Sequence, residues 1–464
     1  MKQVVTRFAF VLASVLAPVC VMHAQHNFIQ MNENYSPTDW MERIPDWQPV
    51  YSITIPGSHD TATAEAWHGW KDNGGDLIAG NATLGSPRLH SIAQATSLSE
   101  QMAQGVRAFD FRPGYHSEGA LAWKKEWITC DHGSHQTKKR FEDALTEMCD
   151  FLKVHHQEFF IIHLYPSDAT DKLGNMLKDL MNDSRFSEYI IDFRPDLLAH
   201  DVRGKIIFLV RNQMQNKVER GGWMPEWTER PEFNDDGTPK RLYTINSYDT
   251  SLGSAKMLCQ DWSDNSNKTD QANKAKEQLV SKVFDYSRTL WSPNDTETRE
   301  PVWILNLISG YALTTEIAGN SISKTDGYAL NAQMLNQHVI DYIDNMYSDP
   351  ATRNSGSTPE SNYDYQPLGI VWADYVGVDY QEPVESAHKN DYETKGPALV
   401  DALIRHNISL PAGMTNIGAI NVDDAETPAV YYNLQGIEMG SVRSKLAPGI
   451  YIERRGAKAE KVVL

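Results

Sequence analysis

The chain has 464 residues, 41% of them hydrophobic, and 43 basic against 61 acidic side chains give a formal net charge of −18. That length suits one α/β barrel with an appendage, and the acidic balance argues against nucleic-acid binding, which needs a basic face. It would also repel an anionic membrane at long range, so any lipid contact must rest on local aromatic or basic loops.

Residues 1–24 read as a secretory signal. Lys2 and Arg7 form the charged start, Phe8 to Val21 is largely apolar, and Met22-His23-Ala24 ends on a small residue. The apolar stretch is short for a membrane span, and Val19 is a poor residue before Cys20 for lipid attachment. Cleavage and export to the outer surface or medium are expected. Cys130, Cys149 and Cys259 then remain, enough for one bridge and one free thiol. Cys130–Cys149 is the local pairing, which the sequence leaves open. No metal-type cysteine pair occurs, and no later segment is apolar enough to span a bilayer.

Strand-like and helical runs alternate from about residue 50 to 405. Tyr51, Ile53 and Ile55 alternate with Ser52 and Thr54, and Pro56-Gly57 is expected to stop that strand and present Ser58-His59-Asp60 on a loop. Val106, Ala108, Asp110 and Arg112 share one face by the two-residue period, with Phe109 and Phe111 on the other. Pro113-Gly114 then reads as a sharp turn, and Cys130-Asp131-His132-Gly133 as a loop. Phe141, Ala144, Leu145, Met148, Phe151 and Leu152 keep a helical spacing, as do Leu335, Val339, Ile343 and Met346. Phe159 to Leu164, Lys205 to Val210, Val302 to Ile308 and Leu368 to Ala373 read as further strands, with Arg211 and Asp374 at two of their ends.

Alternation of this length places the chain in the α/β class as a parallel TIM-type barrel, with its chemistry at the C-terminal ends of the strands. Glu65 to Ser91, Gln213 to Arg241, Ser263 to Lys274 and Ser348 to Tyr365 read as insertions or long loops that could form a lid or rim. Residues 414–464 change character. Val430 to Gly436, Leu446 to Ile452 and Lys461-Val462-Val463-Leu464 read as short strands of a small all-β appendage, joined to residues 25–408 by the linker Leu410-Pro411-Ala412-Gly413.

Two histidines flank an arginine in this pattern: His59, Arg112 and His132. Imidazoles carry protons near neutral pH, and a guanidinium is an always-charged fork suited to two phosphate oxygens. Together they suit metal-free cleavage of a phosphodiester, with proton transfer contributing roughly 10²–10⁴-fold per group.

Pro56-Gly57-Ser58-His59-Asp60, Gly105 to Arg112 and His132-Gly133, in that order, resemble the bacterial phosphatidylinositol-specific phospholipase C domain. Arg203 to Arg211, Gln260-Asp261-Trp262 and Gly369 to Asp374 are similar to later segments of it, so the likeness runs over roughly residues 40 to 405. The resemblance implies an irregular barrel in which His59 is the general base, Arg112 holds the phosphate and His132 is the general acid. It pairs Asp374 with His59 and Asp60 with His132, and sets Asp110 beside Arg112. It further implies inositol contacts from Arg211 and Asp261, and a membrane-borne phospholipid as substrate. The animal enzymes of this family use calcium, with an asparagine after the first histidine and acidic residues where Arg112 stands. Asp60 and Arg112 side with the calcium-independent type, so no metal and no cofactor are expected.

Two positions depart from the pattern. His163-Leu164-Tyr165 stands where the bacterial enzymes carry a lysine, and Ser263 stands where an aromatic ring would stack on the inositol. Both concern the head group, where His163 and Tyr165 become candidate binders. Trp67, Trp70 and His90 fall in the insertion before Asp110; with Trp123 and Trp127, the two tryptophans suit either a lipid interface or barrel packing. Tyr432 to Gly436, Pro448 to Ile452 and Lys461-Val462-Val463 resemble the sorting tails of type IX secretion. A monomer is expected. The alternatives are a metal-dependent glycerophosphodiesterase and a surface lipid- or glycan-binding protein on a degenerate barrel.

Overall fold

The computed structural model describes residues 35–64, 92–120, 123–132, 135–166, 169–211, 214, 218–263, 270–291, 300–310, 327–348, 366–381, 392–408, 430–432, 438–440, 450–455 and 458–463. The signal, Trp67, Trp70, His90, the loop 349–365 and the linker lie outside them.

In chain order the first elements are β1 (Ile55–Ser58), α1 (Leu98–Ala103), β2 (Ala108–Phe111), β3 (Pro113–Glu118), β4 (Lys125–His132) and β5 (His135–Arg140). Next come α2 (Phe141–Val154), β6 (Phe160–Leu164), α3 (Asp171–Asn182), β7 (Ile190–Ile191), α4 (Ala199–Val202), β8 (Ile206–Arg211), β9 (Gly222–Met224), β10 (Tyr243–Ser247) and β11 (Ser254–Gln260). Then follow α5 (Asp270–Ser287), β12 (Val302–Leu307), α6 (Gly327–Ser348), β13 (Ile370–Ala373), β14 (Tyr380–Gln381), β15 (Tyr392–Glu393) and α7 (Gly396–Ile408). The last are β16 (Val430–Tyr432), β17 (Glu438–Gly440), β18 (Ile450–Arg455) and β19 (Lys458–Val463).

Hydrogen-bonded pairing runs β1, β2, β6, β8, β9, β10, β11, β12, β13 and back to β1, a closed ring with β7 beside the start of β8. The α/β barrel expected from the sequence is thus present. It is irregular, because β10 runs antiparallel to both β9 and β11. β6, β8 and β12 are buried along their whole length, as strands covered on both faces must be. Outside the ring, α2 presents Phe141, Ala144, Leu145, Met148 and Leu152 to the core, the stripe read from its spacing. Capping fixes helix starts: Ser97 and Glu100 form a reciprocal box on α1, and Thr170 accepts from the Leu173 amide on α3. Beneath the ring, Arg107 and Glu158 form a fully buried ion pair at 2.6 Å, and the same guanidinium reaches the carbonyls of Pro37, Thr38, Met102 and Val106. β16 to β19 form a separate four-stranded antiparallel sheet, as the all-β appendage requires. Among the described residues no helix is long and apolar enough to cross a membrane.

Several expectations are corrected. Residues 50–52 form a short 3-10 turn rather than a strand, and the strand continues through Pro56-Gly57 instead of stopping there. Ile55 and His59 donate to Gly369 and Ala373 of the β13 side. The missing proline N–H therefore faces β2, whose pairing begins only at Gly57. Pro113-Gly114 opens β3 instead of turning, and Gly114 is needed because a Cβ there would lie 1.8 Å from Asp131 Oδ2. His132 ends strand β4 rather than sitting in a loop. The stretch read as a loop over Gln213 to Arg241 contains β9. All three cysteines are buried thiols, so no bridge joins Cys130 to Cys149.

Gly57 allows β1 to lie against the Trp372 ring, where a Cβ would come within 2.8 Å of the indole and 3.1 Å of the Ala108 methyl. Gly57→Ala is expected to cost about 1–3 kcal/mol by overpacking. Urea unfolding measures it, and an unchanged midpoint would show that the approach is looser than described.

Candidate active site

The register of the ring brings polar strand ends to one level. Asp110 pairs with His163 across β2 and β6, Ser58 lies between Phe109 and Ala373, and Gln260 faces Asn306. This is the end at which barrel chemistry sits.

His59 follows β1 directly. Its amide donates to Ala373 O at 3.0 Å. The buried Gln94 side chain binds both the His59 and Ala373 carbonyls, at 2.9 and 2.8 Å. Asp374 continues β13, and its Oδ1 lies 2.8 Å from His59 Nδ1 while its other oxygen accepts the Gly310 amide at 3.2 Å. A carboxylate on Nδ1 keeps that nitrogen protonated and turns Nε2 toward the mouth. Asp60 takes a left-handed conformation with φ 45°, and Tyr375, next to Asp374, does so with φ 52°. Such strain persists only where surrounding bonds hold it. Here Thr61 N–H donates to Asp110 O, Asp60 N–H to Asp110 Oδ2, and Thr63 N–H to Asp60 O.

His132 reaches the same place by another route. β3 and β4 fold back as a hairpin, and the Asp131 amide bonds the Arg112 carbonyl at 2.7 Å. The His59 and His132 rings end 6.4 Å apart, nearly perpendicular. Asp60 Oδ2 stands between them, 3.1 Å from His132 Nε2 and 3.2 Å from His59 Nε2. Arg112 completes the group: Nε lies 2.6 Å from Asp60 Oδ1, while Nη2 lies 2.9 Å from His59 Nε2 and 3.5 Å from Asp110 Oδ2. Its side chain is 18% exposed. Tyr328, from the start of α6, places its hydroxyl 3.1 Å from His132 Nε2.

Burial alone would discharge His59, but Asp60 and Asp374 outweigh it and raise the ring to about 9. The contact from Arg112 Nη2 opposes them, because it suits a neutral ring with its proton on Nδ1. Burial works against the charge on Arg112 too, yet Asp60, Asp110 and Asp261 keep it cationic. Burial also raises Asp374. It would raise Asp110 as well, but Arg112 and His163 hold that carboxyl well below the usual range.

The other four candidates form one adjoining wall. His163 Nδ1 meets Asp110 Oδ1 at 2.8 Å, and its Nε2 accepts from Arg211 Nε at 3.2 Å. Arg211 then pairs with Asp261 at 2.7 Å and lies between the rings of Tyr165 and Trp227, 3.9 and 3.8 Å from their centres. Trp227 was not legible as part of the site. It comes from a stretch without periodicity, yet it donates to Asp261 at 2.9 Å and stacks on His163. Tyr328 and Gln94 carried no motif signal either. Of the candidate interface tryptophans, Trp123 is 85% exposed, whereas Trp127 packs between His116 and Arg140.

Among the described residues, one ligand atom from each of His59, Asp60 and Asp110 lies within 4.8 Å of the others, a spacing usable by a metal ion. The Arg112 guanidinium already stands against all three.

No family model matches the chain. It is 25% identical over 185 residues to a 1-phosphatidylinositol phosphodiesterase of Listeria monocytogenes, covering 39% of this chain and 50% of that protein. It is 29% identical over 140 residues to the PI-PLC X domain-containing protein 1 of Mus musculus, covering 27% and 38%. The chain thus spans half or less of the length of these two curated relatives. Among solved structures, the phosphatidylinositol-specific phospholipase C of Listeria monocytogenes aligns with 80% of this chain and 99% of its own, at 18% identity and a TM-score of 0.49. A Staphylococcus aureus phosphatidylinositol-specific phospholipase C, from work on its membrane binding, aligns over 79% and 97% at 16% identity and a TM-score of 0.49. The chain has its homologues, at low identity, in the phosphatidylinositol-specific phospholipase C X-domain family.

Proposed function

We propose that this chain is an exported, metal-independent phosphoric diester lyase that cleaves phosphatidylinositol, or its glycosylated form, at a membrane surface it touches peripherally. The observation that carries this reading is the pair of rings His59 and His132 held 6.4 Å apart, with the Arg112 fork against His59 Nε2 and Asp374 behind that ring. His59 Nε2 takes the proton from the inositol 2-hydroxyl, and that oxygen attacks phosphorus. The bond from phosphorus to the glycerol oxygen breaks, His132 gives that oxygen its proton, and diacylglycerol leaves inositol 1,2-cyclic phosphate behind. Arg112 binds the phosphoryl oxygens as charge builds on them. Substrate phosphate draws the guanidinium away from His59 Nε2, and this frees the base. Arg211, Asp261, His163 and Tyr165 line the head-group side.

The clustered His59, Asp60 and Asp110 donors favour one second reading, a metal-dependent phosphodiesterase. A guanidinium 2.6 Å from Asp60 competes for that place, which supports the metal-free reading.

His59→Ala and His132→Ala should each lower turnover by about 10²-fold or more in protein whose circular dichroism shows that the fold is kept. A phosphorus NMR time course on phosphatidylinositol should show a cyclic phosphate. Persisting turnover in both variants rules the assignment out, and binding without turnover in the wild type points to a lipid- or glycan-binding protein. Activity should survive a strong calcium chelator; its loss, restored by added metal, would favour the second reading.

The pH profile is a third check. The base must be neutral, so kcat/KM should climb as pH rises toward the His59 value of about 9. Asp374→Asn removes one of the two carboxylates that raise it, so this limb should move to lower pH while the maximum falls. A limb that stays in place means that another group is the base.

A further inference from the structure

Lys276 lies on α5 with none of its surface exposed, an uncommon place for an ammonium group. Its Nζ donates to two main-chain carbonyls, that of Trp262 at 2.6 Å and that of Ser309. Trp262 follows Asp261 beyond β11, and Ser309 lies just beyond β12. The peptide unit that carries the Ser309 carbonyl carries the Gly310 N–H on its opposite side, and this N–H donates to Asp374 Oδ2 at 3.2 Å. Asp374 in turn holds His59 Nδ1 at 2.8 Å. One planar peptide therefore separates the lysine from the carboxylate behind His59.

Placing a charge there is costly. Burial pushes the ammonium down to about 8, although Asp261 and Asp374 favour its charged form. A neutral amide could tie two loops together without that cost. The charge has a use if it polarises the peptide, since a carbonyl bound to a cation makes its own N–H a stronger donor. The same field favours the ionised form of Asp374.

We propose that Lys276 is a positioning residue for His59. By fixing and polarising the Ser309–Gly310 peptide, it keeps Asp374 ionised and aimed at Nδ1, which leaves Nε2 to accept a proton. The inference rests on the base role given to His59 above, and the lysine itself touches no substrate.

Proton NMR of the full chain reads the hydrogen-bonded Nδ1–H of His59 as a low-field signal, identified by its absence in His59→Ala. Lys276→Met, neutral and similar in length, should shift or broaden that signal. With phosphatidylinositol, kcat should fall on the order of 10-fold while KM stays within about two-fold. In an Asp374→Asn background the same change should add less than about two-fold, because the route through Asp374 is already cut. Lys276→Gln keeps a donor for the Ser309 carbonyl and should recover part of the signal and rate; it also serves if Lys276→Met does not fold. An unchanged Nδ1–H signal in a folded Lys276 variant overturns the proposal, as does full additivity with Asp374→Asn. Failure of both variants to fold overturns it too, and makes the lysine a structural clamp. A wild type that leaves phosphatidylinositol intact, yet whose signal responds to Lys276→Met, sinks the lyase reading alone.

Discussion

The parallel pairing of β1 with β13 closes the ring, and the site depends on that seam. It joins residues 315 positions apart in sequence, His59 and Asp374, and sets their side chains 2.8 Å apart. Parallel neighbours point their C-terminal ends the same way, so side chains just past the strands converge without any loop having to carry them. Gln94 ties the same seam by binding one carbonyl from each side. The left-handed residues Asp60 and Tyr375 follow immediately, so the seam is also where backbone strain is concentrated.

A second constraint is charge. Asp60, Asp110 and Asp374 are each about 1% exposed, and His59 and His163 are similarly buried. An isolated buried ion costs several kcal/mol, and removing one partner of such a set leaves the others uncompensated. The arrangement is therefore worth little as a stabiliser and much as a fixed field. His59 Nδ1 and His163 Nδ1, each 2.8 Å from a carboxylate oxygen, have their protons placed in advance, and the Arg112 fork stands beside them. Bringing charges to such a place before reaction, rather than reorganising solvent during it, is the main electrostatic route to catalysis.

The two halves of the mouth differ in how closely they match the resemblance read from the sequence. Around His59, Arg112 and His132 the expected residue types stand where the motif places them. Along the adjoining wall, where the resemblance would put a lysine and an aromatic ring, stands a linked set in which His163, Arg211, Asp261, Tyr165 and Trp227 contact one another. His163 and Arg211 both lie against the Trp227 ring. Arg211 is pre-paired in the same way, with Asp261 at 2.7 Å.

By itself, the sequence determined the periodicity-driven parts. The buried runs of β6, β8, β12 and β13 were readable because burial on both faces leaves an unbroken apolar stretch, and the core stripe of α2 and the face shared by Asp110 and Arg112 because one-sided contact imposes a repeat of about four or of two residues. The motif order also singled out His59, Arg112 and His132 before any geometry. Only the tertiary structure decided what depends on long-range closure. The strand through Pro56-Gly57 exists because its two neighbours complete it, and the antiparallel β10 fills the ring where periodicity gave no sign. Trp227, Tyr328, Gln94 and Lys276 enter the site or brace it from segments far apart in sequence. No local pattern marks them, because what gives each its role is a partner contributed by another part of the ring.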